Sequence, residues 1–182
     1  MVIAEYGGSH LAGPHAQLHT ELRHGQWAGL VSGLPITPMM WWYEWIDQHD
    51  QHQAFSAVAR FMSGEDLRGP DKRSYSLDGR GAGDTALWIR AWGGSGRLLG
   101  YILDPRWGLN GEDDHPHRSA TVTIGNEVRP GPVILQWWRA DDGTMLSEHA
   151  FDHDGGRLRI HTPPFVNHLA FKLWRPAPGD DS

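Results

Sequence analysis

Glu5 closes a short apolar run, Val2-Ile3-Ala4, and Tyr6-Gly7-Gly8 follows at once. A buried strand of a parallel sheet delivers an acid in this way, at its C-terminal end, where sites form. A second run, Met39-Met40-Trp41-Trp42-Tyr43, is again apolar throughout and again meets an acid, Glu44. The plainer readings are a strand-end glutamate in a surface salt bridge and tryptophans that fill a core. Two clusters, Asp47/His49/Asp50/His52 and Asp113/Asp114/His115/His117, hold residue types that ligate cations. Neither has the helical i, i+4 histidine spacing of a zinc protease, and both fall in expected loops. Solvated loops are the simpler reading, so no metal and no cofactor is expected. Gly93-Gly94-Ser95-Gly96 lies between two expected strands with no helix after it, which makes it a hairpin loop rather than a phosphate cradle.

The elements that would position these residues can be read in order. Residues 1–5 form an expected strand. A helix is expected from near Thr20, as N-cap, through Leu22, Gln26, Trp27, Leu30 and Val31, with Glu21 in its first turn and Gly33 at its end. Residues 39–43 give a second strand, Asp47 to His52 a polar loop, and 53–63 a second helix stopped by Gly64. The first 64 residues thus read strand, helix, strand, helix. Residues 65–72 read as a linker. Eight runs of β character follow, at 73–77, 84–92, 97–103, 119–124, 132–139, 145–151, 157–161 and 167–174, with turn residues between them. Their spacing suggests an antiparallel β-sandwich over 73–176, with a frayed tail at 177–182. The fold class expected is therefore an α+β composite: the last two β/α units of a TIM-type barrel followed by an antiparallel β-sandwich. Residues 1–64 should be marginal alone, because both apolar strands have open edges.

The composition excludes several classes. The 182 residues carry a formal net charge of −6, so no basic face for nucleic acid is expected. No apolar run approaches the length of a membrane span. Cysteine is absent, which removes disulfides, zinc–thiolate sites and a thiol nucleophile. The compartment stays open, with export of a full-length protein among the alternatives. Ten tryptophans are a heavy load, and this residue serves grooves as well as cores.

Taken together, Ile3-Ala4-Glu5-Tyr6-Gly7-Gly8, then Gln26-Trp27-Ala28-Gly29-Leu30-Val31-Ser32-Gly33, then Met40-Trp41-Trp42-Tyr43-Glu44 resemble the end of the barrel in clan A glycoside hydrolases, family 5 cellulases and mannanases above all. Pro132 to Trp138, Asp142-Gly143, Leu158-Arg159-Ile160 and Leu169 to Leu173 are similar to the β-sandwich that such enzymes append. The resemblance implies that Glu5 is a catalytic nucleophile, that Trp41 or Trp42 stacks on a sugar ring, and that Tyr6 and Glu44 line the substrate site. Retaining enzymes of this kind use two carboxyl groups about 5–5.5 Å apart. The acid/base glutamate would come from an earlier strand that this chain lacks, since a whole barrel takes about 250 residues. The expectation is a C-terminal fragment of a retaining glycoside hydrolase for β-linked polysaccharide, inactive alone, whose partners are an oligo- or polysaccharide and the missing N-terminal part of the barrel. The alternative is a stand-alone carbohydrate-binding or interaction module. A weaker third reading is a metal-dependent hydrolase using the His/Asp clusters.

Overall fold

The computed structural model describes residues 5–7, 15–34, 38–66, 68–94, 96–108, 114–125 and 128–176. Val2, Ile3, Ala4, Gly8, Pro35, Asp113 and the tail at 177–182 lie outside the described residues. In chain order the elements are β1 (Glu5–Tyr6), α1 (His15–Val31), β2 (Met39–Met40), α2 (Tyr43–Gln48), α3 (Gln53–Phe61), β3 (Arg73–Arg80), β4 (Trp88–Gly94), β5 (Arg97–Leu103), β6 (Pro116–His117), β7 (Thr121–Ile124), β8 (Gly131–Trp138), β9 (Met145–His153), β10 (Leu158–His161), β11 (Phe165–Val166) and β12 (His168–Trp174).

Each of the eight expected β runs contains a strand, but the strands do not split into two sheets. They join one antiparallel sheet in the order β10-β7-β3-β4-β5-β12-β8-β9. Its two outermost strands, β9 and β10, are consecutive in sequence, with Asp154 to Arg157 between them. The sheet therefore curls until its edges come near each other, as a barrel does. One core fills the inside, with Leu77, Ile89, Leu98, Ile102, Val122, Ile124, Leu135, Trp137, Ile160 and Phe171 among its members.

The alternate residues of the central strands face outward beneath the helices. Leu99, Tyr101 and Ala170 share a buried cluster with Trp27, Leu30 and Val31 of α1 and with Ala57, Val58 and Phe61 of α3. That packing on both sides leaves β5 and β12 buried on both faces. The Trp27 indole lies parallel to the Tyr101 ring at 5.4 Å, and its N–H donates to the Ala140 carbonyl at 3.1 Å. Gly33 ends α1 with φ +69°, and a Cβ there would lie 1.9 Å from the Trp92 ring. The site requires glycine on both counts.

The expected architecture is corrected at this point. Among the described residues the chain forms a mostly β structure with three α-helices, not the end of a (β/α)-barrel followed by a sandwich. The resemblance to the end of a clan A glycoside hydrolase barrel is overturned with it. β1 and β2 do pair in parallel, Glu5 with Met39 and Tyr6 with Met40, but each is only two residues long. Met39 to Tyr43 is not a strand throughout: β2 stops at Met40 and α2 begins at Tyr43. Met39, Trp41 and Tyr43 are exposed, so this apolar run is not a buried parallel strand. α1 also begins earlier than expected. Thr20 lies inside it, where the hydroxyl donates to the Ala16 carbonyl at 3.2 Å instead of capping.

After α3 the chain is fastened to the sheet by a buried ion cluster. The Glu65 side chain, 3% exposed, accepts from both Arg97 and Lys172, with Lys172 Nζ at 2.7 Å. The Lys172 ammonium also lies 4.6 Å from the Trp138 ring centroid and 4.9 Å from that of Phe61. Burial pushes the Glu65 carboxyl upward, but the bonds from Arg97 and Lys172 outweigh it and hold the group below its ordinary value. Among the described residues no helix is long and apolar enough to cross a membrane.

Candidate functional site

A cleft of about 420 Å³ lies between α1 and the end of the sheet, lined by Thr20, Glu21 and His24 from the helix and by Trp88, Leu103 and Trp107 opposite. Its volume falls within the range of small-molecule sites. The wall opposite the helix is mainly aromatic and aliphatic. The helix supplies the polar groups because Thr20, Glu21 and His24 follow one stripe of α1.

Trp107 is placed by the turn that leaves β5. Asp104 is wholly buried and receives hydrogen bonds from the Arg106 backbone at 2.9 Å, from the Arg106 guanidinium at 2.6 Å, and from His117 Nε2 at 3.0 Å. The Ala82 N–H donates to His117 Nδ1 at 3.0 Å, so the His117 proton resides on Nε2, facing the carboxylate. The Trp107 N–H then donates to the Asp104 carbonyl at 3.1 Å. The turn packs closely on α1: a Cβ on Gly108 would lie 2.6 Å from Thr20 Cγ2. Held in this way, the Trp107 ring meets the His24 ring at 4.7 Å and the His168 ring at 4.7 Å.

Burial raises the Asp104 carboxyl, but Arg106 and His117 more than offset this and bring it down to about 2. A depressed folded value stabilises above the unfolded value near 3.8, and that contribution is lost as pH falls toward about 2. In thermal unfolding between about pH 4 and pH 2, Asp104→Asn should therefore lose stability less steeply than the wild type. Parallel slopes would remove this role from Asp104.

Behind Trp107 runs a chain of hydrogen bonds. His168 Nε2 lies 2.9 Å from an Asp141 carboxylate oxygen, and its Nδ1 lies 3.0 Å from the Tyr101 hydroxyl. A carboxylate only accepts, so Nε2 carries the proton and the Tyr101 hydroxyl donates to Nδ1. Burial, reinforced by Asp141, pushes the Tyr101 phenol well above its usual value, which keeps it a donor.

Two groups in the cleft have unmet hydrogen bonding. Glu21 Oε1 accepts from Gln17 at 2.7 Å, whereas the buried Glu21 Oε2 has no partner among the described residues. The buried His24 Nε2 is likewise without a partner. Burial, then the proximity of His168, lowers His24 to about 4, so the ring is neutral at neutral pH. Buried polar atoms usually have partners, and two of the exceptions sit on side chains that line this one cavity.

The residues expected from sequence divide between this cleft and the surface. Tyr6 borders it: a hollow that continues the cleft is lined by Tyr6, Gly7, Glu21 and His24, and the Tyr6 hydroxyl donates to the Leu22 carbonyl at 3.0 Å. Glu5 and Glu44 are exposed, on β1 and in the first turn of α2. Trp41 is half exposed, whereas Trp42 packs against the small cluster of Leu18, Leu22, Met40 and Trp45. None of these four lines the cleft. Several members of the His/Asp clusters have partners within the fold. His117 serves Asp104, Asp114 accepts from Asn167 at 2.9 Å, and Asp47 meets His52 at 3.5 Å on the surface. Among the described residues no three such side chains are placed to hold a metal.

His24 and Trp107 were missed because no local pattern relates a helix residue to a turn far along the chain. The one signal was Asp104-Pro105-Arg106-Trp107-Gly108, an Asx-type turn that presents a tryptophan. No protein-family model matches the chain, and no curated protein matches it.

Proposed function

We propose that this protein binds carbohydrate, with a sugar ring seated in the cleft between α1 and the turn at Trp107. The observation that carries the reading is a cavity walled on one side by Trp88 and Trp107 and on the other by Glu21 and His24, two polar side chains that each keep a hydrogen-bonding atom without a partner among the described residues. A pyranose has an apolar C–H face and a rim of hydroxyls. An indole suits the first, and a carboxylate with a neutral imidazole suits the second. The nucleophile role implied for Glu5 drew its warrant from a barrel that the chain does not form, so it does not enter this reading.

Calorimetric titration with soluble β-glucans, mannans and xylans tests the proposal. Saturable binding to at least one is expected, and Trp107→Ala should weaken it at least tenfold, about 1.4 kcal/mol, with the melting temperature showing that the variant is folded. Binding of none of these glycans, or equal binding by the folded variant, would refute it. Release of reducing ends that is lost in Glu5→Gln would point instead to turnover at Glu5.

A further inference from the structure

A second hollow, of about 470 Å³, opens on the other side of Thr20 and Trp107. Both residues belong to its lining and to that of the first cleft, so the two hollows adjoin across one threonine and one indole. The first is largely apolar. The second is polar, with Arg23 from α1, Asp114 before β6, Asp141 in the β8–β9 turn and Val166 of β11 around it.

Its charges are opposed. Asp114 and Asp141 carry acid, and Arg23 carries base. An anion would meet two carboxylates, and a cation would meet the guanidinium. A neutral polyhydroxyl compound can donate to the first and accept from the second. One Asp141 oxygen is committed to His168, whose ring Tyr101 fixes, so the position of that carboxylate is set before any ligand arrives.

We infer that the second hollow is a further sugar subsite, so that the ligand is a neutral oligosaccharide that passes over Trp107 and occupies both hollows. This rests on the carbohydrate reading above and adds to it a minimum ligand length and a preference for uncharged sugars.

The test is a length series, from one to six units, of whichever neutral glycan binds. Affinity should rise at least tenfold between one and four units and then level off. Val166 is 44% exposed, so Val166→Trp adds bulk over the second hollow from the surface. It should abolish the gain with length and leave the affinity for the shortest ligand within about twofold. Val166→Arg provides a second block if the first variant is unstable. Wild-type affinity independent of length, or a length gain unchanged in a folded Val166 variant, would overturn the second subsite and leave the single-ring reading standing. If no glycan of any length binds, the carbohydrate reading itself fails.

Discussion

Glu65→Ala is expected to destabilise the protein by about 3–5 kcal/mol, the cost of leaving a buried charge without its partner. The charge concerned is Lys172, buried on the helix side of β12 with its ammonium on the Glu65 carboxylate. The aromatic rings of Phe61 and Trp138 beside it offer a cation some compensation, on the order of 2 kcal/mol each. In a chain of this size the loss corresponds to a melting temperature lower by about 10 °C. Replacing both partners, Glu65→Gln with Lys172→Met, should recover much of it, because an apolar side chain suits that aromatic pocket better than an unpaired ammonium. The wild type should also lose stability as pH falls below the ordinary carboxylate range. The folded value of Glu65 is depressed, so its contribution is present above the unfolded value of 4.5 and disappears on acidification through the folded one. A single variant within about 1 kcal/mol of wild type in urea unfolding would show that the cluster does not hold the chain after α3 to the sheet.

Trp27→Ala should be as damaging, at about 3–5 kcal/mol, the usual range for emptying a buried tryptophan site. Trp27 is 1% exposed and lies between Tyr101 of the sheet and Phe61 of α3, so the cavity would open between all three layers. It would also leave the Ala140 carbonyl without its indole donor. Ala140 precedes Asp141, so loosening this point should disturb the cleft as well as the helices. Hydrogen exchange separates the effects. Amides of α1 and α3 should lose protection before those of β5 and β12. Unchanged protection in α1 would mean that the helices hold to the sheet without this ring.

The strands were legible because period-two patterning survives closure. In β10, Leu158 and Ile160 are buried while Arg159 and His161 are exposed, as the alternation predicts. The same pattern suits a sandwich and a curled sheet, since in both an inward residue meets apolar neighbours from another strand. What separates them is pairing order, and nothing local to β7 says that it lies between β10 and β3. The run from Met39 to Tyr43 misled for a different reason. Its composition reads as buried strand, yet Met39, Trp41 and Tyr43 face outward. Tyr6 stands out only through the resemblance to a barrel that the chain does not form; its place beside the cleft comes from the pairing of β1 with β2 and from its bond to the Leu22 carbonyl. By sequence Glu21 reads as a helix-start acid, whereas it sits in the second turn of α1 because the helix begins at His15. Trp107 and His24 become neighbours only when the turn after β5 folds over α1.

The position of β12 has a consequence for how the protein is made. The last described strand pairs with both β5 and β8, so it sits at the middle of the sheet. A ribosome delivers it after every other described strand. Until it emerges, β5 lacks one neighbour and β8 lacks another, and the inner apolar faces of both stay open to solvent. Folding cannot spread strand by strand from the first hairpin; it waits for long-range closure by the latest piece, which is slow. Nascent chains stalled before residue 168 would present two sticky edges at once, the state that holdase chaperones recognise.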